Sequence, residues 1–144
     1  MECQAGPSFV EAVNSHDPDR IREVLTPDFT FEEVAGPGEA SVDALILWFQ
    51  AVFTGLPDIT FRPIRHTQQE DRALIEFRAI GTHGGPFLNV PPTGTVAIVS
   101  GVFNLVGSSA GVRRLRLTVD FAGLRRQLLM AERMRRSSPE ASGS

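Results

Sequence analysis

The chain has no lysine, no tyrosine and a single cysteine, Cys3. One cysteine cannot form a disulfide within the chain, which fits a reducing compartment. No stretch approaches the roughly 18 consecutive apolar residues that identify a membrane span. The first residues also lack the basic start and the apolar core of a signal peptide. We therefore expect a cytoplasmic protein that makes no contact with a membrane.

Positive charge is unevenly distributed along the chain. All 14 basic residues are arginines, and eight of them follow Gly111. A basic end is one signature of nucleic-acid binding. These arginines, however, fall on one strand face and along one helix without interleaved aromatic residues. Solvated arginines in cross-strand pairs are the favoured interpretation, and no nucleic-acid partner is predicted.

Motifs for metals and cofactors are also absent from the sequence. There is no phosphate-binding loop and no dinucleotide fingerprint. The three histidines, His16, His66 and His83, are far apart in sequence and fall on unlike elements, which disfavours a metal site. The sequence therefore predicts no cofactor and no metal.

The helix and strand signals indicate one domain over residues 1–135 and a disordered tail over 136–144. Ser8 and Glu11 form a capping box for a first helix, and Asp17 caps a second. The further predicted elements are a strand at 29–33, a helix from Ser41 to about Leu56, strands at 59–67, 73–82, 95–106 and 112–120, and a final helix through Leu124 and Leu128. Helices followed by a meander of antiparallel strands predict an α+β fold.

Alternation along the strands assigns side chains to the two faces of the sheet. Ile75 and Phe77 alternate with charged residues, so they are predicted to face the helices. Val96, Ile98 and Val102 form a second apolar surface on the opposite face. We expect this second surface to form a homodimer through the sheet.

Residues 81–94 form the least regular internal segment, with four glycines and three prolines in 14 residues. This composition excludes a helix or a central strand. Because apolar strands flank it on both sides, the segment is predicted to be a structured loop between neighbouring strands. Such loops commonly frame the mouth of a pocket.

This loop sequence, GTHGGPFLNVPPTG, resembles the G-T-H-x-G-x-F-x-G-x-P-P-T-G segment of SnoaL-like polyketide cyclases, within the NTF2-like superfamily. The resemblance extends to PDFTFEEVAGPG, FQAVFTGLPDI and DFAGLRRQL, and so covers roughly residues 8–130. It implies a cone-shaped fold, in which a curved, mostly antiparallel sheet wraps around N-terminal helices. It also implies a small hydrophobic polyketide-like substrate. The family includes isomerases and epoxide-opening enzymes, so the fold is indicated more specifically than the chemistry.

The acid/base pair of the aldol-type members has no counterpart here. In those members a His and an Asp on neighbouring strands point into the cone, where they exchange protons with the substrate. Matched onto this sequence, the Asp falls on Leu117 and the His on Gly101 or within one residue of it. The usual aldol mechanism is therefore disfavoured. Substrate contacts are instead predicted from apolar side chains, namely Phe31, Trp48, Phe49, Val52, Phe53, Phe77, Phe87, Phe103, Leu115 and Leu117.

Two polar residues remain as catalytic candidates. Glu33 has the inward parity of its strand, and an apolar cone would favour its protonated form, as a general acid requires. The alternative is an edge carboxylate in water, or one that caps the following turn. His83 also has inward parity and either contacts the ligand or anchors the loop, with anchoring favoured. Asp120 is interpreted as the N-cap of the last helix.

These observations lead to three hypotheses about function. The first is a cofactor-independent cyclase that closes a ring in a hydrophobic polyketide-type intermediate, either by a pericyclic reaction or with help from Glu33. The second is a non-catalytic protein that binds a hydrophobic metabolite. The third, an epoxide-opening enzyme, would require an acidic partner for Glu33, and strand parity offers none.

Overall fold

The computed structural model describes residues 5–33 and 38–137. Cys3 and the turn predicted at Gly36 and Pro37 lie outside these ranges. The helices are α1 (Ala5–Asn14), α2 (Pro18–Glu23), α3 (Val42–Gly55) and α4 (Phe121–Ser137). The strands are β1 (Leu25–Glu33), β2 (Glu39–Ala40), β3 (Thr60–Gln69), β4 (Arg72–Thr82), β5 (Val96–Ser108) and β6 (Gly111–Val119).

The six strands form one curved, unclosed sheet in the order β2-β1-β6-β5-β4-β3. Strands β3 to β6 are an antiparallel meander, whereas β1 pairs with β6 in parallel. The helices contact the inner face of this sheet, α1 across β3 to β6, α3 at β1 and α4 at β5. The predicted α+β fold is therefore confirmed.

The inner sheet face and the helices enclose one apolar core. Ile75 and Phe77 are each 1% exposed, as the strand alternation predicted, and Phe103, Leu105 and Leu115 have no exposed surface. Phe9 of α1 packs edge-on against Phe103 with 5.2 Å between ring centres, and tilted against Phe49 of α3 at 6.3 Å. The core thus holds the helices to the centre of the sheet through aromatic contacts.

Three predictions about element boundaries were wrong. The first helix begins by Ala5, so Ser8 lies within it and is not its cap. The first strand begins at Leu25 rather than Phe29, and its pairing with β6 is irregular between Leu25 and Thr30. This irregularity includes Pro27, which cannot donate a ladder hydrogen bond. Helix α4 continues to Ser137, two residues into the predicted tail; residues 138–144 lie outside the described part.

The expected helix caps differ in quality. Asp17 accepts a hydrogen bond from the backbone N–H of Asp19, and Asp120 accepts one from the N–H of Gly123 at 2.9 Å, so both act as caps. Ser41 lies at the N-cap position of α3 but its side chain makes no capping hydrogen bond.

Helix α4 also completes the edge of the sheet. Beyond the end of β6, the Gln127 amide accepts from the backbone N–H of Ile98 at 3.0 Å and donates to its carbonyl at 2.6 Å. A side-chain amide thereby replaces the missing neighbour strand of β5 and fixes α4 over the sheet. Within the described residues, no helix is long and apolar enough to cross a membrane.

Candidate functional site

A small apolar cavity lies between α3, α4, the 83–95 loop and the inner face of the sheet. Its volume is about 10 Å³, room for roughly one water molecule. Every lining side chain is apolar or aromatic: Trp48, Val52, Leu56, Ile59, Phe61, Phe77, Phe87, Val99, Val119, Phe121 and Leu124. This space is nearly filled by its own lining, and a pocket able to hold a substrate stays a prediction.

The outer end of this cavity is an aromatic cluster. Trp48, Phe87, Val119 and Phe121 are half-buried, whereas the other lining residues are buried. The Trp48 ring packs edge-on against Phe121 at 5.7 Å, and Phe121 packs against Phe87 at 6.4 Å. We call these four residues the aromatic mouth. They are the lining residues of the cavity that are in contact with solvent.

Glu33, the last residue of β1, lies beside this mouth. One carboxylate oxygen, Oε2, accepts a hydrogen bond from the Trp48 indole Nε1–H at 3.3 Å. In the sheet Glu33 is the register partner of the fully buried Leu117, so its side chain points inward as its parity predicted. Glu33 is half-buried, so its carboxylate lies next to aromatic rings and within reach of solvent.

The positions matched to the aldol-type acid/base pair are filled by apolar groups. Leu117 has no exposed surface, and Gly101 lies against the ring of Phe77. A Cβ atom at residue 101 would come within 2.5 Å of Phe77 Cζ and 2.5 Å of the Thr118 carbonyl oxygen. Residue 101 can therefore have no side chain while Phe77 keeps its position.

His83 lies at the base of the 83–95 loop and is fully buried. Its Nδ1 accepts a hydrogen bond from the Thr93 backbone N–H at 3.3 Å and lies 3.0 Å from the Thr93 hydroxyl. Its backbone donates to the Thr95 carbonyl and accepts from the Gly94 N–H. These bonds join the two ends of the loop, which is the anchoring role favoured from the sequence.

Burial lowers the pKa of His83, because the charged imidazolium would lose its hydration. The Val90 and Gly85 backbone and the Glu132 carboxylate oppose this lowering. The neutral ring is therefore the favoured state near neutral pH, with Nδ1 as acceptor for Thr93. His83 bonds to the loop and Glu33 bonds to Trp48, so the two candidate residues belong to separate hydrogen-bond networks.

Contacts with α3 and α4 fix the same loop over the cavity. The Gly84 and Gly85 N–H groups both donate to the Gly55 carbonyl at the end of α3. Phe87 packs so closely on Gly55 that a Cβ atom there would lie 2.5 Å from the ring. Arg125 of α4 donates from Nε to the Leu88 carbonyl at 3.1 Å. Phe87 is consequently held as one wall of the aromatic mouth.

The predicted substrate-contacting residues lie either at the cavity or away from it. Trp48, Val52, Phe77 and Phe87 line the cavity, and Phe31 packs edge-on against Trp48 with 6.5 Å between centres. Phe53 instead stacks on His16 at 4.2 Å. The remaining four are fully buried and do not line the cavity: Phe49, Phe103, Leu115 and Leu117. Substrate contact by these residues stays a prediction.

Sequence reasoning missed the part of the site that α4 supplies. Phe121 and Leu124 line the cavity from the first turns of this helix. The sequence feature that indicated this part of the site was Asp120. It caps the start of α4, and the helix then lies beside the part of β5 that has no partner in β6. The five further lining residues that were not named as contacts are Leu56, Ile59, Phe61, Val99 and Val119.

Within the described residues, no group of three or more His, Cys, Asp or Glu side chains is placed to hold a metal ion. The Glu33 carboxylate is hydrogen-bonded to Trp48 of the aromatic mouth. The arrangement can hold an apolar group against aromatic rings and present one carboxylate to it.

A curved, unclosed sheet packed on helices around an apolar centre is the cone fold that the sequence resemblance implied. The chain belongs to the SnoaL-like domain family, whose sequence profile matches residues 8–105. The resemblance to this family is thus confirmed over residues 8–105, whereas the DFAGLRRQL segment lies beyond the match. The search of curated proteins finds no match.

Solved structures with this fold are similar over most of the chain. AclR, a proposed hydroxylase from Streptomyces galilaeus, is 21% identical with a TM-score of 0.79, covering 88% of this chain and 79% of its own. IdmH, a proposed polyketide cyclase from Streptomyces antibioticus, is 22% identical with a TM-score of 0.77, covering 87% and 96%. A proposed SnoaL-like polyketide cyclase from Jannaschia sp. CCS1 is 22% identical with a TM-score of 0.76, covering 87% and 89%. At these identities the similarity establishes the shared fold.

Proposed function

We propose that the protein is a cofactor-independent cyclase that closes a ring in a hydrophobic polyketide-type intermediate of natural-product biosynthesis. The observation on which this rests is the Glu33 carboxylate, held by the Trp48 indole at the edge of an otherwise apolar cavity. Membership of the SnoaL-like family and the two similar structures described as proposed polyketide cyclases support the reaction class.

The aromatic mouth would contribute by positioning. An apolar chain folded between Trp48, Phe87 and Phe121 brings its reacting carbons together, and such confinement can lower a barrier by several kcal/mol. A pericyclic closure needs no proton transfer, so it is compatible with a cavity whose lining is entirely apolar.

Glu33 would contribute where the closure does require a proton. As a carboxylate it can remove a proton from the carbon beside a substrate carbonyl, and as the resulting acid it returns that proton to the oxygen of the closed ring. The Trp48 N–H fixes the orientation of the carboxylate during both steps. His83 would act on catalysis indirectly, by holding the loop that positions Phe87.

A second candidate function is non-catalytic binding of a hydrophobic metabolite. The filled positions at Gly101 and Leu117 favour it, since the groups that transfer protons in aldol-type relatives have no counterpart there. Epoxide opening ranks third. It would require a second carboxylate beside Glu33, and the lining of the cavity within the described residues is apolar.

Deletion of the gene in its host, followed by mass spectrometry, tests the cyclase proposal. An accumulated open precursor with the same mass as the normal product supports an isomerising ring closure. A precursor that differs by water or oxygen would redirect the proposal to dehydrative or epoxide chemistry. An unchanged product profile would contradict the cyclase and favour the binding protein.

The purified protein and its E33Q variant then separate the mechanisms. If Glu33 transfers the proton, E33Q loses most of its activity on the accumulated precursor, by about 100-fold or more. If the closure is pericyclic, E33Q keeps its activity. The matched control is E32Q, because Glu32 is adjacent in sequence but pairs with Arg116 on the outer sheet face.

We also propose a homodimer formed through the outer face of the sheet. Val96 is 63% exposed and Ile98 is 45% exposed on that face, beside the half-buried Val102. A second copy of the chain would remove these side chains from water.

A further inference from the structure

Phe77 separates the cavity from the deeper core of the cone. It is 1% exposed, lines the cavity, and stacks on Phe103 with 4.4 Å between ring centres. It also packs edge-on against Phe61 at 5.2 Å. Because aromatic neighbours hold the ring from two sides, Phe77 forms a packed, buried wall of the cavity.

The position of this ring depends on Gly101. Phe77 and Gly101 are register partners on β4 and β5, and Gly101 lies opposite Val119 on β6. The ring occupies the space that any side chain at residue 101 would need, since Phe77 Cζ and Cε2 would lie 2.5 and 2.9 Å from its Cβ atom. The Phe77 ring on β4 therefore occupies the space in the cone that a side chain at residue 101 on β5 would fill.

We infer that Phe77 determines substrate size in this protein by filling the inner end of the site. A ligand is thereby restricted to the aromatic mouth, beside Glu33. The site accepts a slender apolar segment, such as a polyene or a single ring, and excludes a broad fused-ring skeleton. This inference rests on the proposed function, because it assumes that the apolar substrate binds at the mouth.

The reason for the exclusion is the volume that remains. With about 10 Å³ free, a ligand gains space only if lining side chains move. The half-buried rings of Trp48, Phe87 and Phe121 adjoin solvent, whereas Phe77 is buried and cannot move without disrupting the Phe61 and Phe103 contacts. Removing a buried ring from a packed core leaves a dry cavity that small aromatic molecules can occupy. A smaller residue at position 77 should therefore extend the site inward.

The test uses 1-aminoanthracene, a probe with three fused rings, and the intrinsic fluorescence of the protein. Trp48 is the only tryptophan and the chain has no tyrosine, so this fluorescence reports directly on the aromatic mouth. The variants are Phe77→Leu and Phe77→Ala, with Phe9→Leu as the control. Phe9 is fully buried in the same aromatic core but does not line the cavity. Phe77→Leu keeps the test informative if Phe77→Ala does not fold.

We expect the wild-type protein to bind the probe weakly, and Phe77→Leu to bind it at least about ten-fold more tightly with quenching of Trp48. Two results would overturn the inference about Phe77 without affecting the proposed function. One is unchanged probe affinity in a cooperatively folded Phe77→Leu variant, and the other is an equal gain in probe affinity in Phe9→Leu. If a slender probe, diphenylhexatriene, leaves Trp48 fluorescence unaffected in the wild-type protein and in both Phe77 variants, the proposed binding at the mouth fails as well.

Discussion

Glu33 on β1 and Leu117 on β6 are register partners in the parallel strand pair. The carboxylate therefore lies one strand away from the position that matches the Asp of aldol-type relatives. It points to the same inner face, where it meets Trp48 rather than a histidine. An acidic group is thus present in the cone, and its orientation depends on the hydrogen bond from Trp48 on α3.

The Trp48 indole should accordingly be a positioning group for Glu33. Trp48→Phe keeps an aromatic ring at the mouth and removes the N–H donor that lies 3.3 Å from Glu33 Oε2. If Glu33 transfers a proton, we expect kcat to fall by about 10- to 100-fold with little change in KM, since misplaced groups lose rate rather than binding. The measurement is steady-state kinetics on the precursor that accumulates in the deletion strain.

Leu47→Phe is the control for this substitution, because Leu47 is adjacent on α3 and 66% exposed. Equal kcat values for Trp48→Phe and the wild-type protein would contradict the positioning role. The hydrogen bond would then be structural only, and a pericyclic closure would be favoured.

Gly101→Ala should destabilise the fold although it adds one methyl group. The new Cβ atom would lie 2.5 Å from the Thr118 carbonyl, which is backbone and cannot move aside cheaply, and 2.5 Å from Phe77. We expect the free energy of unfolding to fall by about 1–3 kcal/mol, as for other overpacked cores. Urea denaturation measures this change, and Ser100→Ala, on the exposed neighbour, is the control. A double variant with Phe77→Leu should recover part of the loss, although the Thr118 conflict would remain.

Exposed apolar residues on the outer sheet face provide a test of the dimer. Ile98→Arg places a charge at the centre of the proposed interface but leaves the backbone bonds of Ile98 to Gln127 in place. We expect sedimentation equilibrium to show a dimer for the wild-type protein and a monomer for Ile98→Arg. Leu47→Arg, on a different surface, should stay dimeric. A wild-type monomer at micromolar concentration would contradict the proposal.

The sequence predicted the sheet better than it predicted the site. Strands β3 to β6 begin and end within two residues of their expected bounds, because alternating apolar residues and the turns at Glu70 and Gly107–Gly111 limit them locally. The two-residue strand β2 and the early start of β1 were missed, since both depend on pairing with distant strands. Local patterns do not contain that information.

The inward directions of Glu33 and Phe77 followed from strand parity. The small size of the cavity did not, because it results from the way Phe77, Phe61 and Phe103 pack together. The contact between Glu33 and Trp48 joins residues on a strand and a helix whose relative placement only tertiary packing determines. Sequence alone named both residues but did not predict that they bond.

Buried His83 should make stability depend on pH. Burial lowers its pKa in the folded protein, whereas an unfolded His titrates near about 6.5. Below that pH the unfolded chain binds a proton that the folded protein does not, so the free energy of unfolding falls as pH decreases toward the folded pKa. Between the two pKa values the slope approaches about 1.4 kcal/mol per pH unit. The backbone of Val90 and Gly85, and to a smaller extent the Glu132 carboxylate of α4, favour the charged imidazole and so oppose this lowering of the His83 pKa.

The variant His83→Gln isolates this contribution, because a Gln oxygen can still accept from the Thr93 N–H without titrating. Urea denaturation between pH 5 and pH 8 should show a smaller loss of stability at low pH for His83→Gln than for the wild-type protein. His66→Gln, at an exposed histidine on β3, should keep the wild-type dependence. Identical pH profiles for His83→Gln and the wild-type protein would mean that His83 is not the titrating group. The acid sensitivity of the fold would then lie with its carboxylates rather than with the anchor of the loop.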